Sequence, residues 1–491
     1  MSRLGAASLP GGSVVVPRYD RGRPSGIVHL GTGAFHKAHQ AAYTDEVLRK
    51  SGGDWMITGV SLRSADVAAA LNPQDGLYTL LLRGPEGVSA RVIGSIAKVL
   101  VAPQHPFAVL AALAAPATKV VSLTITEKGY GLDLRTGGLD RNNPAIAADL
   151  AKPGQPQSAV GYVVEAAKQR RDGGLPGFTV LCCDNLPANG RIVRKLVTEF
   201  AAVRDADLPA WIEKNVSFPS TMVDRITPAS TAKTFDDVRN LTGVEDQAAV
   251  ETEPFSQWII EDDFVAGRPR WEDGGAVFVK DVAPYEKMKL RMLNGAHSML
   301  AYSGFLSGHQ YVRDVMGNAD LGRLIKRHHD TAAETLDPVP GIDIARYAAE
   351  LRERFANPAI AHETYQIAMD GTQKLPQRLL EPAMIALERD QPLDAYAFAV
   401  AAWIRYALGV KDSGETYRLR DPREGEIAER LADAPRDASI VAGRLIGLPG
   451  LFPEPLVTAP AWKDAIVKRL AVMLAQGMRR AVAEEAASCP E

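Results

Sequence analysis

The feature that most constrains this chain is an alternation that stops partway. Short, β-branched apolar runs at 27–30, 55–62, 120–126, 178–183 and 217–223 each end in a polar turn, with helical stretches between them. Strands that alternate with helices imply a parallel sheet with helices on both faces, a doubly wound α/β fold. In such sheets ligands bind at the carboxyl ends of the strands. There the chain offers Glu127, Asp184-Asn185 and Asp224. After about Pro284 the strand pattern disappears. Ala/Leu/Arg-rich helical stretches follow at 313–334, 343–355, 393–408 and 464–486. The expected organisation is therefore a nucleotide-binding α/β domain over 1–283 and a mainly α-helical domain over 284–491.

Composition narrows the partners. With 491 residues, 46% hydrophobic and 23% charged, the chain has the profile of a soluble globular protein. A net charge of −3 gives no electrostatic case for nucleic acid. The three cysteines, Cys182, Cys183 and Cys489, are an odd number with two adjacent, which fits a reducing compartment. The N-terminus is a poor signal peptide. The apolar window 107–125 is split by Pro116 and Lys119, and reads as a buried helix feeding a buried strand, not a membrane span. A cytoplasmic location is expected.

Gly31-Thr32-Gly33-Ala34-Phe35-His36 follows a strand and precedes a helix, the context of a dinucleotide fingerprint. Such glycines let backbone approach a pyrophosphate at a helix N-terminus. His36 replaces the third glycine, so an ordinary tight turn is the competing explanation. After the second strand, Arg63 could stack on adenine or meet a 2′-phosphate, leaving NAD and NADP open. His36 and His39 have no evident third ligand, and Cys182-Cys183 lack C-x-x-C spacing, so packing roles are preferred to a metal site.

The stretch 285–297 reads as a helix with polar groups on its apolar side. At about 100° per residue, with Lys289 at zero, Leu300 falls near +20°, Glu286 near +60°, His297 near +80° and Asn294 near +140°. Lys287 and Arg291 fall near 160° and 200°, the expected solvent side. A lysine among apolar neighbours is a candidate general base, because desolvation disfavours its charge. Asn185 at a strand end and Asn294 could together flank a developing alkoxide. Downstream, Lys374 and Arg378 lie four residues apart, where two cations on one helical face could clamp a carboxylate. Each of these residues alone has an ordinary structural use; together they favour chemistry.

The chain resembles the mannitol dehydrogenase family of long-chain polyol dehydrogenases. The matching segments are 31–40, Thr124-Ile125-Thr126-Glu127-Lys128-Gly129-Tyr130, Cys183-Asp184-Asn185-Leu186, 219–226, Glu253-Pro254-Phe255 and the helix beginning near residue 285. Within the family, Glu127-Lys128-Gly129-Tyr130 and the run 366–378, with Gln366 where mannitol 2-dehydrogenases usually carry arginine, are closer to the fructuronate reductase (D-mannonate oxidoreductase) branch. The resemblance implies a Rossmann-type domain and metal-independent transfer of a hydride between NAD(H) and a sugar acid or polyol. It also implies a monomer or weak oligomer. Lys289 matches the family's general acid/base, Asn185 and Asn294 its oxyanion pair, His297 its active-site histidine and Glu286 a proton-relaying carboxylate. Glu127, Asp224 and Lys374 match residues lining the substrate site, and Arg378 is expected beside Lys374. Gly31, Gly33, Ala34, Phe35, Arg63, Asn185 and Asp224 are expected at the cofactor. A rival from another class is a non-catalytic sugar-acid or nucleotide sensor, whose signature would be a broken catalytic set; here the set is complete.

Overall fold

A computed structural model describes residues 1–133 and 135–489. The chain divides into two compact units, Met1–Ala283 and Pro284–Glu491.

The first unit is built on a five-stranded sheet of β1 (Ile27–Leu30), β2 (Ile57–Ser61), β3 (Ile96–Val101), β4 (Val120–Leu123) and β5 (Thr179–Cys182). Their order is β3-β2-β1-β4-β5 and every pairing is parallel. The strands are short and nearly all buried, as a sheet covered on both faces requires. Alternate residues feed two cores. Val28, Leu30, Val121, Leu123 and Val180 pack into one layer. Ile27, Ile57, Ile96, Val120 and Leu181 pack into the other. The window 107–125 contains helix Pro106–Ala114 followed by β4. Among the described residues no helix is long and apolar enough to cross a membrane.

The fifth apolar run departs from expectation. It does not extend the parallel sheet. Ser217 makes one parallel bridge to Thr179, and the chain then enters strand Thr221–Asp224, which pairs antiparallel with Gln257–Glu261 in a separate three-stranded sheet. An apolar run announces burial but not its partner, because direction and pairing are set by contacts distant in sequence.

The second unit is helical. Gly295–Leu306 and Asp394–Ala407 are buried almost all round, which marks them as its centre. The small residues of Ala395-Tyr396-Ala397-Phe398-Ala399-Val400-Ala401-Ala402 let neighbouring helices approach. Two expected long helices are each broken into two. Gly317 separates Val312–Met316 from Ala319–Glu334, with Asn318 capping the second through bonds from the Asp320 and Leu321 amides. Gly477, at φ +82°, separates Pro460–Gln476 from Met478–Ala487.

Ile27 is fully buried at the amino end of β1, opposite the strand ends where ligands bind in such sheets. Ile27→Ala is expected to destabilise the protein by about 2–5 kcal/mol, as large-to-small core changes do. Denaturant unfolding should show this while turnover at 25 °C stays near wild type.

Candidate active site

The glycine turn at the end of β1 uses its two glycines differently. Gly31 has φ +96°, and a Cβ there would stand 2.1 Å from the Thr124 carbonyl oxygen. Gly33 has an ordinary negative φ, and a Cβ would meet nothing nearer than 3.8 Å. The first glycine serves the turn; the second leaves open space where a ligand can approach backbone. His36, in the third-glycine position, is fully buried and stacks on His29 with ring centroids 3.5 Å apart. His29 in turn reaches Ser122 Oγ at 2.8 Å and Thr124 Oγ1 at 2.8 Å, under the turn. Phe35 stacks on His39, and the helix that starts at Ala34 breaks at His39 after five residues. Arg63 is exposed after β2. Among the described residues no group of three or more His, Cys, Asp or Glu is placed to hold a metal ion.

Asn185 is exposed on the loop after β5, and the residues around it fix that loop. The Asp184 carboxylate accepts from Ile125 N at 2.8 Å, Thr126 N at 3.1 Å and Tyr130 Oη at 2.6 Å. Burial pushes the Asp184 carboxyl up from its ordinary value, and the bonds from Tyr130, Ile125 and Thr126 oppose this. Asn189 Nδ2 donates to the carbonyls of Asp184 and Thr221, while its Oδ1 accepts from Thr221 N. Thr126 sits at φ +65°, ψ +159°, a region almost restricted to glycine that costs about 1–3 kcal/mol. Asp184 holds it there, immediately before exposed Glu127. Asp224 is buried at the end of its strand. Its neighbour Arg225 donates to the carbonyls of Ala38 and Glu253, and Glu253 Oε1 accepts from Ile226 N at 2.7 Å.

In the second unit the segment expected as one α-helix changes pitch. Ala283–Met288 is α-helical, Lys289–Asn294 is π-helical and Gly295–Leu306 is α-helical again. A π-turn inserts one residue relative to an α-helix, so positions beyond it shift back by about 100°. Asn294 moves from about +140° to about +40° from Lys289, and His297 from about +80° to about −20°, while Glu286 stays near +60°. The π-turn therefore brings all four candidate groups onto one face. The expectation for Arg291 is overturned for a different reason: other elements of the unit cover the side it faces. Arg291 is buried and donates to the Thr335 carbonyl at 2.6 Å and to Glu381 at 3.1 Å.

Lys289, Asn294 and His297 are 5%, 6% and 6% exposed, so all three are buried. The His297 ring lies 4.6 Å from Phe355 and 5.3 Å from His362. Burial, then the nearby His362, Arg378, Arg354 and His329, push His297 well below the ordinary histidine value. A second π-turn, Pro376–Leu380, follows helix Gly371–Leu375. Lys374 and Arg378 flank its start, but their heads take different partners. Lys374 Nζ donates to the carbonyls of Ile367 and Met369 at 3.1 and 2.6 Å. Arg378 Nη1 reaches the Asn294 carbonyl at 3.4 Å and Ser298 Oγ at 3.3 Å.

Comparison with known proteins identifies the family of both units. Residues 25–273 match the mannitol dehydrogenase Rossmann domain, and residues 281–444 match the mannitol dehydrogenase C-terminal domain. The chain belongs to the mannitol dehydrogenase family. It is 43% identical to D-mannonate oxidoreductase of Escherichia coli, over 98% of this chain and all of that one. It is 38% identical to mannitol 2-dehydrogenase of Aspergillus terreus, over 95% of this chain and 94% of that one. Among solved structures, Pseudomonas fluorescens mannitol 2-dehydrogenase in ternary complex with NAD and D-mannitol superposes with a TM-score of 0.89. That match has 37% identity and covers 99% of this chain and 100% of the other.

As an oxidoreductase of the mannitol dehydrogenase family, the protein carries supporting residues to which sequence reasoning gave no supporting role, although Asp184 stood among the polar strand ends and Tyr130 in a matching segment. Asp184, Tyr130 and Asn189 fix the loops bearing Glu127 and Asn185, and His362 lies beside His297. Asn189-Gly190, a turn signal at a helix start, was a further signal available for Asn189.

Asp184→Asn places an amide against two backbone N–H groups. It is expected to cost about 1–3 kcal/mol of stability and to lower turnover, checked by thermal unfolding and steady-state kinetics. A pH effect follows from the buried histidines. Burial lowers His328 and His362 to about 4 and His329 to about 3. Their folded-state values lie below the unfolded one near 6.5, so the unfolded chain binds the extra protons. Their stabilising effect is complete above pH ~6.5 and is lost as pH falls toward the folded values. Tm should fall steeply from pH 6.5 to 4, and His329→Gln should make that slope shallower. Equal slopes would count against the assignment.

Proposed function

We propose that this enzyme interconverts D-fructuronate and D-mannonate with NAD(H), using Lys289 as general acid/base. The observation that carries the chemistry is the common face shared by Glu286, Lys289, Asn294 and His297 across the π-turn. The sugar-acid assignment is supported by the full-length likeness to D-mannonate oxidoreductase. Two cations in the same helical unit, Lys374 and Arg378, would meet a carboxylate that a neutral hexitol lacks.

NAD would be held by the Gly31–Phe35 turn, where Gly33 leaves space for backbone to meet a pyrophosphate, with Arg63, Asn185 and Asp224 nearby in the cofactor's path. When bound, it supplies or accepts the hydride exchanged with the substrate carbon. The protein's own part is proton and charge management. In reduction, the Asn185 and Asn294 amides donate to the oxygen as negative charge builds on it, and the Lys289 ammonium gives that oxygen its proton. In oxidation, neutral Lys289 takes the hydroxyl proton, which Glu286 passes to water. His297, kept neutral by burial, orients the same oxygen or the lysine as a hydrogen-bonding group without added charge. Glu127 and Asp224 line the substrate.

The purified protein is expected to oxidise D-mannonate far better than D-mannitol, with NAD preferred to NADP and with activity surviving a strong chelator. Faster turnover of mannitol, sorbitol or arabinitol would replace the uronate assignment with a polyol 2-dehydrogenase of the same family. Asn294→Ala should lower kcat about 100–1000-fold.

A further inference from the structure

The π-turn changes which backbone groups are paired. In an α-helix the Gly295 N–H would bond to the Arg291 carbonyl, four residues back. Here it bonds to the carbonyls of Leu290 and Met292 instead. The bypassed Arg291 oxygen is met by His328 Nε2 at 3.3 Å. His328 is 1% exposed on helix Ala319–Glu334. Its Nδ1 is buried without a hydrogen-bond partner, so the neutral ring carries its proton on Nε2, where a donor is needed. Burial keeps the ring neutral, with a value lowered to about 4.

Two neighbours make this contact specific. A Cβ on Gly295 would stand 2.7 Å from His328 Nε2 and 2.9 Å from the Arg378 carbonyl oxygen, so the glycine admits the imidazole. Arg291 bonds to Thr335 at the carboxyl end of the same helix. Helix Ala319–Glu334 thus grips the π-turn at two points, once through each end of Arg291.

We propose that His328 is a positioning residue for the reaction, holding the π-turn in the form that sets the Lys289 ammonium and the Asn294 amide on one face. The inference rests on the assignment of Lys289 and Asn294 to catalysis made above. It predicts that removing the donor misplaces the reacting groups while leaving the nucleotide site in the other unit untouched.

The test compares full-length His328→Leu, His328→Gln, Gly295→Ala and Lys289→Ala on whichever of D-mannonate or D-mannitol the wild type turns over faster. His328→Leu should lower kcat about 10- to 100-fold, the effect of small misplacement of reacting groups, with KM for NAD unchanged. His328→Gln, which keeps a donor, should restore most of kcat. Gly295→Ala, which displaces the imidazole without removing it, should reproduce the loss even if His328→Leu does not fold. Wild-type kcat in His328→Leu, or equal losses in the leucine and glutamine variants, would overturn the proposal. If Lys289→Ala keeps turnover, the catalytic assignment itself fails. If Lys289→Ala is inactive while His328→Leu is normal, only the role of His328 fails.

Discussion

The chemistry available to the helical unit depends on one change of pitch between Lys289 and Asn294. On a regular α-helix those residues point about 140° apart and cannot serve one oxygen. The π-turn closes that gap, and it persists because groups distant in sequence occupy the backbone and side chains it redirects. His328 meets the Arg291 carbonyl, Thr335 and Glu381 take the Arg291 guanidinium, and Arg378 reaches the Asn294 carbonyl. A π-turn costs hydrogen-bond geometry, so its place at the lysine fits the tendency of such turns to occur at functional sites.

The sheet unit solves a matching problem with loops. The ends of β4 and β5 carry Glu127 and Asn185, and both loops are tied to one half-buried carboxylate, Asp184. That carboxylate also holds Thr126 in a backbone region threonine otherwise avoids. Precision at the polar strand ends thus comes from a residue adjacent to the candidate donor. The segments 219–226 and 253–255 have a similar structural basis: Arg225 and Glu253 lock neighbouring backbone together.

Much of the fold was legible in the chain itself. β-Branched runs separated by helices specified a parallel sheet, because only two covered faces can bury strands apolar on both sides. The glycine turn was legible because Gly31 occupies a conformation that other residues resist. Less legible was anything decided by pairing across long separations. The run at 217–223 is as apolar as its predecessors, yet it crosses into an antiparallel sheet beside residues 257–261. Arg291 looked solvent-facing because local periodicity does not show that Thr335 and Glu381 cover that side of the helix.

The sequence by itself determined the fold class, the position of the glycine turn and the presence of a complete Lys/Asn/His set, since these follow from local periodicity and residue chemistry. Only the tertiary structure decided that the set shares one face. A π-turn has no local signature in Lys289-Leu290-Arg291-Met292-Leu293-Asn294. Its stability lies in a histidine more than thirty residues away and in a glycine that leaves that histidine room.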